Sequence, residues 1–444
     1  MLSKLSTSLG VSEDIYEKLT DSDLTFGDIK DESGNTIKLT DSNYSNYIRS
    51  NDRRVRKDAF KEMYRTYKGI VNTTCATLYG NILSSVNLSH LRNYNSAMEA
   101  SLFADSVSKD IYDNLVKTVN SNLDVLYKYY DLKKEELGLD EFHLYDVYAN
   151  LLNEENKTYS FEEAKDIVLK AIEPLGEEYV KDAKKAFDER WIDIYPSKGK
   201  RGGAYSSGGY DTYPYMLLNF EGKLDDVSTI IHELGHSMHS YYSKKNNSFQ
   251  DYNYRIFVAE VASTTNEVLL CKYLLKNSND KKVKLAILNR LMDLFKGTIY
   301  RQTMFAEFEE KIYDLVEKGE VLTPDLLCDM YYDINKTYFG PNTVVDEEIK
   351  YEWSRIPHFY YDFYVYKYAT GLSAACYIAN NILSGDTTFR DNYLKFLSLG
   401  GSMDPVDELK VAGVDMTSPE VIKSAIDMFN EIIEEYKELR WLDG

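Results

Sequence analysis

The sequence is short of helix breakers. It has 8 prolines and 23 glycines in 444 residues. So few interruptions favour long helices. Cysteine is scarce as well. Cys75, Cys271, Cys328 and Cys376 lie far apart with no CxxC pair. That argues against a disulfide framework or a thiolate metal site, and it fits reduced thiols in a reducing cytoplasm. No apolar run reaches the ~18 residues a membrane span needs. The opening stretch MLSKLSTSLGVSEDIYEKL lacks the continuous apolar core of a secretory signal. Positive charge is in deficit: 52 Lys and Arg stand against 72 Asp and Glu, a formal net charge of −20. This balance argues against nucleic acid and anionic membranes as partners. With 43% hydrophobic and 28% charged residues, the chain can bury a sizeable core. The expectation is a soluble, cytoplasmic, globular protein.

What is present reads mostly as helix. Residues 1–45 hold a short helix-like piece and then a polar stretch with an SGN turn, which predicts a small hairpin. From Tyr47 to about Asp193 the apolar period is helical. Ser160 followed by Glu163 opens SFEEAKDIVLKAI with a capping box. The texture changes at Lys198. KGKRGGAYSSGGYDTYPYMLLNFEG is rich in Gly, Ser and Tyr and predicts a loop leading into short strands at GAYS and PYMLLNF. From Leu224 to the C-terminus the pattern is helical again, with a break at residues 400–405. The fold class is mainly α with one small β element.

The most specific signal is DDVSTIIHELGHSMHSYYS, residues 225–243. Val227, Ile230, Ile231, Leu234 and Met238 recur at helical spacing and predict a buried stripe. His232 and His236, four apart, stand side by side on another face. That spacing suits two nitrogens at about 2.0–2.1 Å from one Zn²⁺. Glu233 can hold the metal-bound water and act as its general base. The chain has only six histidines, and His232, His236 and His239 sit within eight residues. Two exposed histidines on a solvated face would be the bland alternative.

A catalytic zinc needs a third protein ligand and an open position. The HExxHxxGxxH pattern is excluded, because His239 replaces its glycine and Tyr242 stands where its third His would be. His239 is expected to be a hydrogen-bonding neighbour one turn past His236. Glu260 is the candidate third ligand. It lies in IFVAEVASTTNEVLL among apolar residues, so burial is expected, and a buried carboxylate must be paired or metal-bound. A structural salt bridge is the alternative. Glu267, seven residues on, is a candidate to orient a ligand His from behind.

RIPHFYYDFYVYKYATG reads as a helix starting after Pro357. His358, Tyr361 and Tyr368 would then share one face, with Val365 between them and Tyr364 close by. With 39 tyrosines in the chain, such a stripe is either core or active-site material. Phenol and imidazole donors suit the oxyanion that peptide hydrolysis creates.

HELGHSMHSYYS, FVAEVASTTNE, GAYSSGGYDTYPYMLLNF and RIPHFYYDFYVYKYATG, in this order, resemble the oligoendopeptidase F group of the thimet oligopeptidase-like (M3) metallopeptidases. The similarity runs from about Asp23 to GGSMDPVDELKVAGVDMTSPE. The resemblance implies a helical, two-lobed zincin-type metallopeptidase with a deep substrate channel and one zinc ion per chain at its floor. It implies His232, His236 and Glu260 as zinc ligands and Glu233 as general base. It also implies His358 and Tyr368 as transition-state helpers and Tyr361 as a substrate-side tyrosine. The Gly-rich segment, with Gly203, Ala204 and Tyr205, matches an edge strand along which a substrate backbone can lie. The group carries on the order of a hundred or more further residues before the point where this chain begins. Residues 1–45 are therefore expected to be a remnant of an N-terminal region, and 46–444 the catalytic domain. The implied activity is endopeptidase cleavage of short oligopeptides. Exo-acting, carboxypeptidase-like trimming and an inactive zinc-stabilised peptide-binding fragment remain alternatives.

Overall fold

Helices dominate, as the scarcity of proline and glycine predicts. A computed structural model describes residues 8–152 and 158–441. The parts of the sequence readings that fall on residues 1–7, 153–157 and 442–444 lie outside it. Among the described residues there are seven short strands: β1 (Asp28–Lys30), β2 (Thr36–Lys38), β3 (Phe142–His143), β4 (Ile192–Asp193), β5 (Tyr205–Ser207), β6 (Tyr215–Leu217) and β7 (Thr343–Val344). The two-residue strands β3, β4 and β7 are too short for a period to register, and β4 falls in a stretch whose pattern read as helical. No described helix is long and apolar enough to cross a membrane.

The chain forms two compact units, each assembled from separate segments. The first comprises Met1–Phe103, Asn120–Asn153 and Tyr300–Tyr366. Its largest element is the helix Arg53–Leu91. Asp52 caps it by accepting the Arg54 N–H at 2.9 Å, and Val55, Ala59, Phe60, Met63 and Tyr67 give it a buried face. The predicted hairpin is present as antiparallel β1 and β2, with Ile29 opposite Ile37. Gly34 takes a φ of +82° in its turn, which a residue with a Cβ adopts only at a cost. β3 and β7 form a parallel pair. Two buried carboxylates are fully neutralised here. Asp146 is gripped by Arg53 and Arg56 at 2.8 and 2.7 Å. Glu352 accepts from Arg301 at 2.7 Å, Tyr64 at 2.9 Å and Tyr331 at 2.6 Å.

The same unit corrects the tyrosine-helix reading. Residues Pro357–Tyr360 form one turn of 3₁₀ helix, and the α-helix begins only at Tyr366. Asp362 and Phe363 between them have left-handed backbones, with φ of 39° and 58°. That conformation is strained for both residue types. It is held from outside. The Tyr313 hydroxyl donates to the Asp362 carboxylate at 2.5 Å, the Ser85 hydroxyl does so at 2.6 Å, and the Phe363 N–H donates to Glu309 at 2.8 Å. His358, Tyr361 and Tyr368 therefore do not share a helical face.

The second unit comprises Ala104–Val119, Glu154–Ile299 and Lys367–Gly444. Ser160 and Glu163 form the expected capping box at the start of Phe161–Ala171. β4, β6 and β5 make a three-stranded sheet in that order, with β4 parallel and β5 antiparallel to β6. After the sheet come two long helices, Leu224–Asn246 and Ile256–Asn277. All four cysteines of the chain are buried and free.

Candidate metal centre

The helix Leu224–Asn246 carries the HExxH residues, and its local chemistry explains its start. The Asp226 carboxylate accepts the N–H groups of Lys223 and Glu221 at 2.8 and 2.9 Å. Asp225 and Asp226 sit in the first turn and Lys244 and Lys245 in the last, which complements the helix dipole. Val227, Ile230, Ile231, Leu234 and Met238 are wholly buried, as the stripe predicts. This packing fixes the rotation of the helix and leaves His232 and His236 on a partly open face.

The helix Ile256–Asn277 crosses it at unusually short range, and Gly235 makes that possible. A Cβ at this position would lie 2.5 Å from the Ser263 Cα and 2.7 Å from the Ala262 carbonyl oxygen. Asn266, fully buried, ties the crossing by donating to the Ile231 carbonyl at 3.3 Å. The glycine inside the motif thus serves helix packing. It brings Glu260 and Glu267, two turns apart, up to the histidines.

The result is a convergent set of donors. The Nε2 atoms of His232 and His236 lie 3.2 Å apart. Glu260 Oε2 is 3.5 Å from the first and 3.4 Å from the second. A tetrahedral zinc with bonds of 2.0–2.1 Å requires edges of roughly 3.3–3.4 Å between its ligands. The three observed edges match that size, and two imidazoles with one carboxylate are donors zinc takes. His232 Nδ1 faces Glu267 Oε1 at 2.5 Å. With its proton held there, the Nε2 lone pair is left for a metal. Among the described residues this trio is the one group of three or more such side chains close enough to hold a metal ion together.

The Glu260 side chain is half exposed, at 50%. The expectation of burial is therefore corrected. Phe257, Val258 and Val261 are buried, but Ile256 and Glu260, one turn apart, lie on a face that remains open. An apolar residue on that open face disguised it in the sequence.

The electrostatics follow from the same contacts. Burial works against a charged His232, but the hydrogen bond and charge of Glu267 and the charges of Glu260 and Glu233 outweigh it and raise its pKa. Burial raises Glu233, against the pull of both histidines and a hydrogen bond from the Ser206 backbone. Burial also opposes the Glu260 carboxylate. There the hydrogen bond and charge of His236, with His232 and Ser263, prevail and hold it down at about 2. One carboxylate oxygen of Glu233 is buried without a hydrogen-bond partner among the described residues.

The other sequence candidates divide. His239 is fully buried, and neither ring nitrogen finds a hydrogen-bond partner among the described residues. It is not the hydrogen-bonding neighbour expected. Its ring stacks on Tyr254 at 3.8 Å, and burial pushes its pKa down to about 3, so it packs as a neutral aromatic. Gly203 and Ala204 precede β5 and line a cavity of about 300 Å³ with Leu218, Asn219 and Ile230. Tyr205 opens β5 itself and is exposed. Tyr368 lies half-buried in the first turns of Tyr366–Leu383. His358 and Tyr361 belong to the first unit, where they cluster with Tyr364 at ring separations of 5.8–6.2 Å. Sequence reasoning missed Ser206, Ser237 and Tyr254. Ser237 had a legible sign: it falls one helical turn after Glu233.

Comparison with known proteins agrees with this constellation. Oligopeptidase PepF of Bacillus subtilis is 49% identical over 439 residues, covering 99% of this chain and 66% of that protein. The chromosomal oligoendopeptidase F of Lactococcus lactis subsp. cremoris is 42% identical, covering 95% of this chain and 70% of that protein. The chain thus spans about two thirds of the length of these curated relatives. The crystal structure of oligoendopeptidase-F from Enterococcus faecium superposes with a TM-score of 0.83 at 38% identity, covering 99% of this chain and 73% of that one. The sequence profile of peptidase family M3 matches residues 46–428, and the chain belongs to that family.

Proposed function

We propose that this chain is a zinc-dependent endopeptidase that hydrolyses internal bonds of short oligopeptides. The observation that carries the reading is the match between the three donor separations of His232, His236 and Glu260 and the edges of a zinc tetrahedron. Names of relatives, oligopeptidase and oligoendopeptidase F, point to the substrate class. The four buried free thiols suit a reducing, cytoplasmic setting.

In this reading His232, His236 and Glu260 hold one zinc ion, and Glu267 fixes the tautomer of His232 through Nδ1. Zinc bound there supplies a Lewis acid that polarises the scissile carbonyl and acidifies the attacking water. Glu233 is the base. Its carboxylate takes the water's proton and passes it to the departing amine. Gly203 and Ala204, just before β5, are offered as the backbone segment along which the substrate lies. Tyr368 is proposed as a hydroxyl donor to the developing oxyanion.

The test combines metal analysis with cleavage of internally quenched peptides. About one zinc per chain and internal cleavage are expected, with product masses separating internal from terminal cuts. Glu233→Gln should keep its zinc and lose turnover by about 10³-fold or more, because an amide cannot accept the proton. Near-normal turnover in that variant would overturn the mechanism.

A further inference from the structure

Ser206 occupies the centre of β5, and its two sides face different partners. Opposite it stands Met216 of β6. The Met216 N–H donates to the Trp191 carbonyl at 2.8 Å, away from β5. In an antiparallel pair this makes Ser206 and Met216 a non-hydrogen-bonded couple. The Ser206 N–H therefore points to the free edge of the sheet, on the side of the Glu233 carboxylate.

The Ser206 side chain turns onto the HExxH helix. Its Oγ lies 2.8 Å from Ser237 Oγ, and Ser237 is wholly buried. Ser237 also donates to the Pro214 carbonyl at 3.3 Å. A serine hydroxyl has one proton. With that proton on Pro214, the Ser206 hydroxyl is the donor to Ser237. One helix hydroxyl thus fastens both arms of the β5–β6 hairpin. It does so on the face of Glu233, one turn further along the helix.

We propose that Ser237 is a positioning residue: through Ser206 it holds β5 where the strand's backbone N–H meets the Glu233 carboxylate. The assignment rests on Glu233 being the base. The rest of the hairpin has a separate tether, because Lys244 Nζ donates to the carbonyls of Gly209 and Thr212 at 2.9 and 2.8 Å. Removing the Ser237 hydroxyl should therefore free the middle of β5 without detaching the hairpin.

The experiment uses Ser237→Ala, Ser206→Ala, the double variant and Ser206→Thr, which keeps the hydroxyl. In Ser237→Ala, amide hydrogen exchange at Tyr205–Ser207 should speed up in the zinc-free and zinc-loaded chain alike. Zinc content should stay at the wild-type level. kcat on a quenched peptide should fall about fivefold to tenfold, the size of one lost hydroxyl hydrogen bond expressed in the transition state, with KM nearly constant. The double variant should be no slower than Ser237→Ala alone, and Ser206→Thr should keep wild-type exchange at Tyr205–Ser207. Unchanged exchange at Tyr205–Ser207 in Ser237→Ala, or losses that multiply in the double variant, would overturn the proposal. Failure of the underlying reading shows differently, as turnover that survives Glu233→Gln. In that event the exchange measurement still decides whether Ser237 holds the strand.

Discussion

One carboxylate cluster in each unit is neutralised in an opposite way. In the first, Glu352 and Asp146 are met by arginine. Glu352 has Arg301 and two tyrosine hydroxyls, and Arg301, with the Tyr331 hydroxyl and the Arg355 charge, holds its pKa below the usual range despite burial. In the second, Glu233, Glu260 and Glu267 gather around two histidines with no arginine or lysine paired to them among the described ion pairs. Two imidazoles acting as metal ligands are neutral. The cluster then carries up to three negative charges that the protein does not balance. The first arrangement is closed and structural. The second is open to a dication, and that difference separates a buried ion pair from a candidate metal centre.

The comparison can be broken by removing one carboxylate from each unit. Glu260→Ala should release zinc, with occupancy on dialysis falling from about one per chain to a small fraction, because two histidines leave the site under-ligated. The zinc-free melting temperature should hardly move, since half of that side chain is exposed. Glu352→Gln should do the reverse. It leaves Arg301 without its counter-charge and should cost about 3 kcal/mol of stability by denaturant unfolding, with zinc content unchanged. Full zinc occupancy in Glu260→Ala would shift the third-ligand assignment to Glu267.

A finer contrast sets Tyr368 against Tyr366. Tyr366 is fully buried, and Tyr368 is half-buried. Tyr368→Phe should lower kcat by about 10²-fold with little change in KM or melting temperature. Tyr366→Phe should change the melting temperature and leave kcat nearly intact. Equal, modest rate effects would return Tyr368 to the packing.

The smallest expected effect concerns Glu408, a buried carboxyl of the second unit. One of its oxygens has no hydrogen-bond partner among the described residues. Burial pushes its pKa up to about 8, with Arg255 opposing and Asp404 adding. A raised folded-state pKa contributes stability that is complete below the unfolded value near 4.5 and lost as pH rises through about 8. Glu408→Gln stays neutral throughout. Relative to the variant, the wild-type melting temperature should therefore fall between pH 5 and 8, by on the order of 2–4 °C. A constant difference across that range would show that Glu408 does not titrate there.

Much of the second unit's site was legible in the sequence because it is local. A helical period, two rare histidines four apart and a glutamate between them define one face of one helix. Glu260 and Glu267 were found on their own helix by the same arithmetic. The apolar neighbours of Glu260 nonetheless do not bury it. Ile256 is 52% exposed, and composition cannot tell an apolar residue on an open face from one in the core. The kink at Asp362 and Phe363 was illegible for a different reason. No Gly or Pro marks it, and the groups that hold it, Tyr313, Ser85 and Glu309, lie far away in sequence. Two-residue strands and the Ser206–Ser237 bond are likewise products of tertiary approach.

The helix crossing at Gly235 has a consequence for how metal exchange and local motion are linked. Two donors ride on one helix and the third on its neighbour, and the gap between them is set by backbone contact rather than by adjustable side chains. Any fluctuation that widens the gap stretches the bonds to Glu260 while leaving the two histidines together. An ion held by this trio would work as a caliper across the two helices. Its off-rate becomes a clock for their separation, slow while the pair stays seated and fast when it breathes. A methyl group at position 235 would act as a fixed spacer in that caliper, turning a packing defect into a measurable change in metal residence time.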